Sequence, residues 1–261
     1  METNAGPRCP VPAVCKIPCC NMRSLARNFS DLIVASSQYD ILLCSETFVS
    51  DMRHVSQLLV PGLLVRHVSQ LLVRVAVAGY AKMPQAQGMA AYIRNGYGTF
   101  RLPKFVCGCC EMIVFGVCGA RQNLHVFSLY RNTDLDDRIF VCLLTSMGAA
   151  QAEGVRASFL FVGDFNGHHQ EWLGSTTTNR HGDVSFDFAT VSSCNQLIIG
   201  PTHARGGTLN LLMTDATDLV GVAILANIGN SDHASLTAVI SMAQAVPNLL
   251  VEKFSLNIKV I

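Results

Sequence analysis

Three short apolar runs constrain this chain more than any other feature, because each abuts an acidic residue. Tyr39–Cys44 (YDILLC) leads into Ser45-Glu46-Thr47. Ser158–Val162 (SFLFV) runs into Gly163-Asp164-Phe165-Asn166, and Ser235–Ile240 (SLTAVI) follows Ser231-Asp232-His233. Apolar runs this short, bounded by polar residues, suit buried strands rather than core helices. Open α/β architectures collect reactive groups at strand ends.

The remaining pattern extends this reading. Lys16–Cys20, Arg74–Ala78, Met89–Arg94, Glu111–Cys118, Leu124–Tyr130, Leu197–Gly200, Leu209–Thr214 and Val220–Leu225 read as further strands. Pro18 weakens the first, since it cannot donate to a sheet ladder. Asn95-Gly96 is a turn signal. Helices are expected over Leu25–Ser37, Asp134–Gln151 and Ser185–Ser193, the second with an acidic start that suits a helix N-terminus. Many close-spaced strands and few helices predict an α/β chain of two packed mixed β-sheets flanked by helices. Residues 1–15, with Pro7, Pro10 and Pro12, read as a disordered leader; 16–241 read as one domain and 242–261 as a divergent tail.

Composition sets the outer limits. Half of the 261 residues are apolar and 14% are charged, which excludes disorder for most of the chain. No apolar run approaches the ~18–20 residues of a membrane-spanning helix. The net charge of +1 gives no bulk basic footprint, so any nucleic acid is held by local contacts. Eleven cysteines raise the thought of disulfides. Met1–Pro18 lacks the basic and apolar regions of a signal peptide, and no cluster has zinc-ligand spacing. Reduced, buried thiols in an intracellular, non-secreted protein are the expectation.

RHVSQLLV occurs at Arg53–Val60 and again at Arg66–Val73. Two copies at this short offset make no solenoid. They read as a local duplication tolerated in a surface connection, with His54 and His67 as structural copies of one residue.

Taken singly, the acidic strand ends are ambiguous. A lone Glu is usually a solvated cap, GDxN can be a plain turn, and SDH can cap an element. Together, carboxylates and an Asn can hold one Mg2+ through hard oxygen ligands, with water and a phosphate completing the octahedron. A nearby imidazole can hydrogen-bond a phosphoryl oxygen, and a carboxylate can orient the attacking water.

The ordered set Asn21, Glu46, Tyr130, Gly163-Asp164-Phe165-Asn166, Thr202 and Ser231-Asp232-His233 resembles the endonuclease/exonuclease/phosphatase superfamily. Within it, the chain is most similar to the endonuclease domain of non-LTR (LINE-type, jockey-like) retrotransposons. The stretches CSETFVSD, GMAAYIRNGYG, FSLYRN, FLFVGDFNGHHQEWLGSTTTNRHG, GPTHARGGTLNLLMTD and SDHASLTAVIS carry that similarity over roughly 19–241. The resemblance implies a four-layer α/β sandwich and Mg2+- or Mn2+-dependent nicking of DNA by a monomeric protein, nuclear if active on DNA. It implies Glu46 as the main metal ligand with Asn21 and Asp232 beside it. Asp164 would position the attacking water, Asn166 would orient Asp164 or meet the phosphate, and His233 would bind the phosphoryl oxygen. Tyr130 would touch the same phosphate. Arg131, Asn179, Arg180 and Thr202 would contact DNA. Read without the resemblance, Tyr130 is equally a core-edge tyrosine and Asn179-Arg180 a solvated turn. Trp172 is expected to be a packing anchor, His125 a surface-facing strand residue, and His168 and His169 exposed or structural. His203 and His181 carry no signal of their own.

Several positions depart from the family pattern. Asn210 stands where the family has an Asp that pairs with the catalytic His. An amide can orient the ring but brings no charge, which weakens catalysis. Ser24 stands where a Gly follows Asn-x-Arg, Pro18 interrupts the first strand, and the duplication is extra. No polymerase segment follows, which reads as a decayed or excised element. The expected function is a metal-dependent endonuclease-like phosphodiesterase impaired by Asn210. The alternatives are an inactive relic or DNA-binding module and, third, a small-molecule or lipid phosphatase.

Overall fold

Strict two-residue alternation of buried side chains builds the molecule. Each core strand sends one set of apolar residues to a shared interior and the other set beneath an outer helix. In strand β2 (Ile41–Ser45), Ile41 and Leu43 join the central cluster, while Leu42 and Cys44 join an outer one. In β8 (Ala157–Asp164), Leu160 and Val162 face the centre and Phe159 and Phe161 the opposite side. A computed structural model describes residues 14–48, 63–68, 88–94, 97–102, 111–119, 122–131, 138–152 and 156–241.

Among the described residues two six-stranded sheets result, in the orders β11-β12-β1-β2-β4-β3 and β5-β6-β7-β8-β10-β9. The first comprises β1 (Val14–Asn21), β2, β3 (Leu63–Val68), β4 (Ala90–Arg94), β11 (Val220–Leu225) and β12 (Ser235–Ser241). The second comprises β5 (Thr99–Arg101), β6 (Glu111–Val117), β7 (Asn123–Tyr130), β8, β9 (Asn195–Gln196) and β10 (Asn210–Thr214). Both are mixed: β1 pairs parallel with β2, and β7 parallel with β8.

Helix α1 (Phe29–Ser36) contributes Leu32 to the cluster outside the first sheet. Helices α2 (Arg138–Ala152) and α4 (Arg180–Val191) cover the second sheet, where Phe161 meets Phe188 edge-on at 5.0 Å. A short α3 (Gln170–Leu173) lies between them in sequence. The architecture is the expected four-layer α/β sandwich, helix–sheet–sheet–helix. No described helix is long and apolar enough to cross a membrane.

Differences from the sequence reading have local causes. Pro18 sits inside β1, paired with Thr237. Lys16 turns its amide and carbonyl toward Asp40, on the β2 side. Pro18, two residues on, faces the same way, and the β2 ladder begins only at Cys19, so the missing N–H interrupts nothing. The duplication is not wholly a surface connection: Leu63–Val68, including Arg66-His67-Val68 of the second copy, forms edge strand β3 against β4. The apolar Leu63-Leu64-Val65 run, with Val68 after it, suits a strand beside β4. Leu197–Gly200 is not a strand; only Asn195–Gln196 pairs with β10. His125 does not face solvent: it is buried, edge-on to Phe100 and Phe159. Trp172 packs, partly buried, against the outer cluster. Among described cysteines all are free, and burial pushes the Cys15 thiol to about 12 and Cys20 to about 11. Arg74–Ala78, Asn95-Gly96, His54, Asp134, Asp136, Asp137 and the leader and tail beyond Val14 and Ser241 lie outside the described residues.

Candidate active site

Parallel registry between neighbouring strands brings the acidic ends together. Asn21 ends β1 beside Ser45 of β2, so Asn21 Nδ2 donates to Glu46 Oε1 at 2.7 Å. The Asn21 oxygen accepts from the Arg23 amide at 3.2 Å. Asn21 therefore steadies Glu46 in this arrangement; ligating a metal would need its amide turned over. In the other sheet β7 and β8 end together, pairing Tyr130 with Asp164. Burial pushes the Tyr130 phenol up, reinforced by the Glu46 and Asp164 charges and a hydrogen bond to Glu46. That contact joins the two sheets across the site.

The backbone is strained here. Among described residues, six non-glycine positions have positive φ, and five of them (Arg23, Ser24, Glu46, Phe48 and Asn166) lie where strands end in this region. Such clustering of sparsely populated conformations is typical of functional sites. Ser24 adopts φ 118°, a glycine conformation, at the position where the sequence lacks the expected Gly. Gly163 has φ 148°, and a Cβ there would lie 1.8 Å from the Leu129 carbonyl oxygen, so only glycine lets β8 deliver Asp164.

Asp164 is 3% exposed. Burial pushes its carboxyl up to about 8; the Asn166 amide opposes this, and the Glu46 and Asp232 charges add to it. Asn166 caps Asp164 Oδ1 through its amide at 3.1 Å and donates Nδ2 to the Arg131 carbonyl at 2.7 Å.

His233 closes the site. Its Nε2 lies 3.8 Å from Asp164 Oδ2 and its Nδ1 3.1 Å from Asn210 Oδ1. Asn210 donates its own Nδ2 to the Ala234 carbonyl at 3.2 Å, which turns Oδ1 toward the ring. An amide oxygen only accepts, so His233 carries its ring hydrogen on Nδ1 and presents a bare lone pair at Nε2. Burial lowers its pKa to about 4; His203 and Arg23 add to the fall, while Asp232 opposes it. The imidazole is neutral at pH 7. Asp232 is partly exposed and pairs with Arg23 at 3.3 Å and His203 at 3.4 Å. Burial raises its carboxyl, but its own backbone amide, Arg23, His233 and His203 outweigh that, and the net shift is downward.

Other expected contacts lie differently. Arg131 and Thr202 are fully buried and present no side-chain surface to a duplex. Arg131 lies over the Phe140 ring at 5.4 Å, and the Thr202 hydroxyl accepts from the Leu209 and Asn210 amides, each at 2.9 Å. Asn179 caps α4, its Oδ1 accepting from the Gly182 and His168 amides at 2.9 and 3.0 Å. A Cβ on Gly182 would lie 1.9 Å from the His168 carbonyl oxygen. The GDFNGHH and TTNRHG stretches are thus clamped together. Arg180 is exposed. His169 caps α3 by accepting from the Trp172 amide at 3.1 Å, the structural role expected. His203 is the residue the sequence reading missed. It bridges to His233, their rings 4.7 Å apart; only the fold of a distant loop puts it there, and nothing local signals it.

The donor types suit a hard divalent cation: Glu46 and Asp232 are oxygen ligands, and both are near enough to Asp164 for their charges to add to the rise that burial causes in its carboxyl.

No protein-family model matches the chain, and no curated protein matches it significantly. Solved structures do. The endonuclease domain of TRAS1, a telomere-specific non-LTR retrotransposon, superposes with TM-score 0.63 and 16% identity, over 88% of this chain and 100% of that one. The AP endonuclease LMAP from Leishmania major gives TM-score 0.66 at 11% identity, over 87% of each chain. The Xenopus laevis APE2 catalytic domain gives 0.61 at 14%, over 89% of this chain and 94% of that one. An endonuclease/exonuclease/phosphatase family protein from Leptotrichia buccalis also matches, at TM-score 0.55 and 13% identity, over 87% of this chain and 99% of that one; the chain shares the fold of these structures.

Proposed function

We propose that this protein is a metal-dependent, endonuclease-like phosphodiesterase that nicks DNA, derived from a retrotransposon endonuclease and weakened by Asn210. The observation that carries the reading is the meeting of Glu46, Asp164 with Asn166, and His233 at one end of both sheets. Glu46 holds Mg2+ or Mn2+ with Asp232, and Asn21 keeps the Glu46 carboxylate aimed. The cation supplies charge neutralisation at the phosphate and the leaving oxygen. Asp164 in its ionised form, the minor one below about pH 8, takes the proton of the attacking water, and Asn166 fixes the carboxylate that does so. Tyr130 hydrogen-bonds the phosphate. Arg131 and Thr202 act from within, holding the Asp164 loop and the Asn210 strand. Arg180, exposed beside the capped loop, is the duplex contact of that segment.

The weakness follows from the ring. A phosphoryl oxygen gaining charge needs a donor at His233 Nε2. The Asn210 amide accepts from Nδ1–H as a carboxylate would, but brings no charge to hold a second proton on the ring, so Nε2 is left with a lone pair. The same feature favours a second reading, an inactive relic that keeps the fold and binds DNA. Relaxation of supercoiled plasmid in Mg2+ or Mn2+, against the same protein in chelator, separates the two. Metal-dependent nicking supports the first, and DNA binding with no nicking supports the second. Release of phosphate from inositol phosphates with intact plasmid would contradict both.

A further inference from the structure

The hydrogen-bond pattern that disarms His233 for phosphate also prepares it as a ligand. We propose that His203, Asp232 and His233 form a second cation site, selective for imidazole-seeking divalent ions such as Zn2+ or Co2+ rather than Mg2+. Among the described residues this is the one group of three His, Cys, Asp or Glu side chains with ligand atoms gathered, all within 4.8 Å of one another.

The spacing suits a small tetrahedral ion. Bonds of about 2.0–2.2 Å place neighbouring donors roughly 3.3–3.5 Å apart. His203 Nε2 and Asp232 Oδ2 are already 3.4 Å apart, and His233 Nε2 is 4.0 Å from the other Asp232 oxygen. The remaining His203–His233 side is at most 4.8 Å, so closing the triangle takes side-chain shifts of up to about 1.5 Å, and an open fourth position remains for water. Asn210 is the outer partner a ligating imidazole needs: it holds His233 by Nδ1–H and leaves Nε2 bare. His203 starts in the other tautomer, with Nδ1 accepting from the Arg205 amide at 3.1 Å. Ligation through Nε2 moves the ring hydrogen to Nδ1, and the exposed Arg205 amide turns to water. Arg23, paired with Asp232 and half exposed, must swing aside.

Two of the three ligands are imidazoles, which favours Zn2+, Co2+, Ni2+ or Cu2+ over Mg2+. Asp232 is shared with the Glu46 site, and ligation occupies His233 Nε2. An ion here therefore blocks the phosphate position; that consequence, unlike the binding, rests on the phosphodiesterase reading.

Cobalt absorption on the full chain tests the site. Wild type is expected to bind one Co2+ with d–d bands of a low-coordinate nitrogen–oxygen site, displaced by Zn2+. His203→Ala, His203→Gln and Asp232→Asn should each lose the bands, while Glu46→Gln keeps them. Asn210→Ala should weaken binding about 10–100-fold, and Arg23→Ala should tighten it. Bands that survive both His203 variants, sulfur-to-cobalt charge-transfer bands in their place, or no cobalt uptake by wild type would overturn the proposal. Absence of Mg2+-dependent nicking with the cobalt pattern intact supports the site and counts against the nuclease reading. Nicking in Mg2+ without cobalt binding overturns the site alone.

Discussion

Replacing Asn210 with Asp should raise the charged fraction of the His233 ring at the point where phosphate charge develops. The amide oxygen lies 3.1 Å from His233 Nδ1, and the two residues are 2% and 7% exposed. With the ring held near pKa 4, roughly one molecule in a thousand carries an imidazolium at pH 7. A carboxylate at the same oxygen attracts that imidazolium by about 4 kcal/mol at an effective dielectric constant of about 20. At tenfold per 1.36 kcal/mol, the imidazolium population rises by on the order of a thousandfold at most. Desolvation of the new carboxylate takes back part of this, so a gain of about a hundredfold is the working expectation. The imidazolium carries hydrogens on both nitrogens, so Nε2 regains a donor for the phosphoryl oxygen. The assay is single-turnover plasmid nicking beside an NMR titration of the His233 ring. A variant whose ring titrates higher yet nicks no faster than wild type would refute the reasoning, because charge on the ring would not be what limits the reaction.

Other expectations follow from the same geometry. Ser24→Gly relieves a φ of 118° and should stabilise the fold by about 1 kcal/mol in urea denaturation; no gain would mean the turn is unstrained. Asn179→Ala removes two hydrogen bonds to the Gly182 and His168 amides and should cost about 1–2 kcal/mol, measured by the same denaturation. Asp164 has a folded-state pKa raised from 3.8 to about 8, so its contribution to stability is complete below its unfolded pKa and is lost as pH rises through about 8. Metal-free protein should lose that contribution across this window; Asp164→Asn should flatten the fall and Mg2+ should offset it, both seen in thermal melts at stepped pH.

Much of the fold was legible because β2, β8 and β12 are short apolar runs bounded by polar residues, which read as strands without reference to a partner. Their acidic ends could be marked as a site for the same reason. What stayed hidden depends on distant contacts. His125 looked solvent-facing because Phe100 and Phe159 cover it only once β5 and β8 are placed. Arg131 and Thr202 looked like surface contacts because sequence does not show that helix α2 lays Phe140 against one or that the backbone of 209–210 consumes the other's hydroxyl. The GDFNGHH and TTNRHG stretches were read as a nuclease signature; their visible work is a clamp, with Asn179 and Gly182 holding the His168 loop. His203 had no local signal, because its place is set by a bridge to His233. Ser24 and Asn210, by contrast, were marked as departures from sequence, and each sits at a point of backbone strain or altered charge.

Whether these strand ends hydrolyse phosphodiesters decides what the protein is for. Mg2+-dependent nicking of supercoiled DNA by Asn210→Asp protein, with Glu46→Ala or His233→Ala added in the same background, tests it most directly. Strong nicking by the single variant and its loss in both double variants is the predicted result. Nicking that survives the added Glu46→Ala and His233→Ala changes would contradict the account.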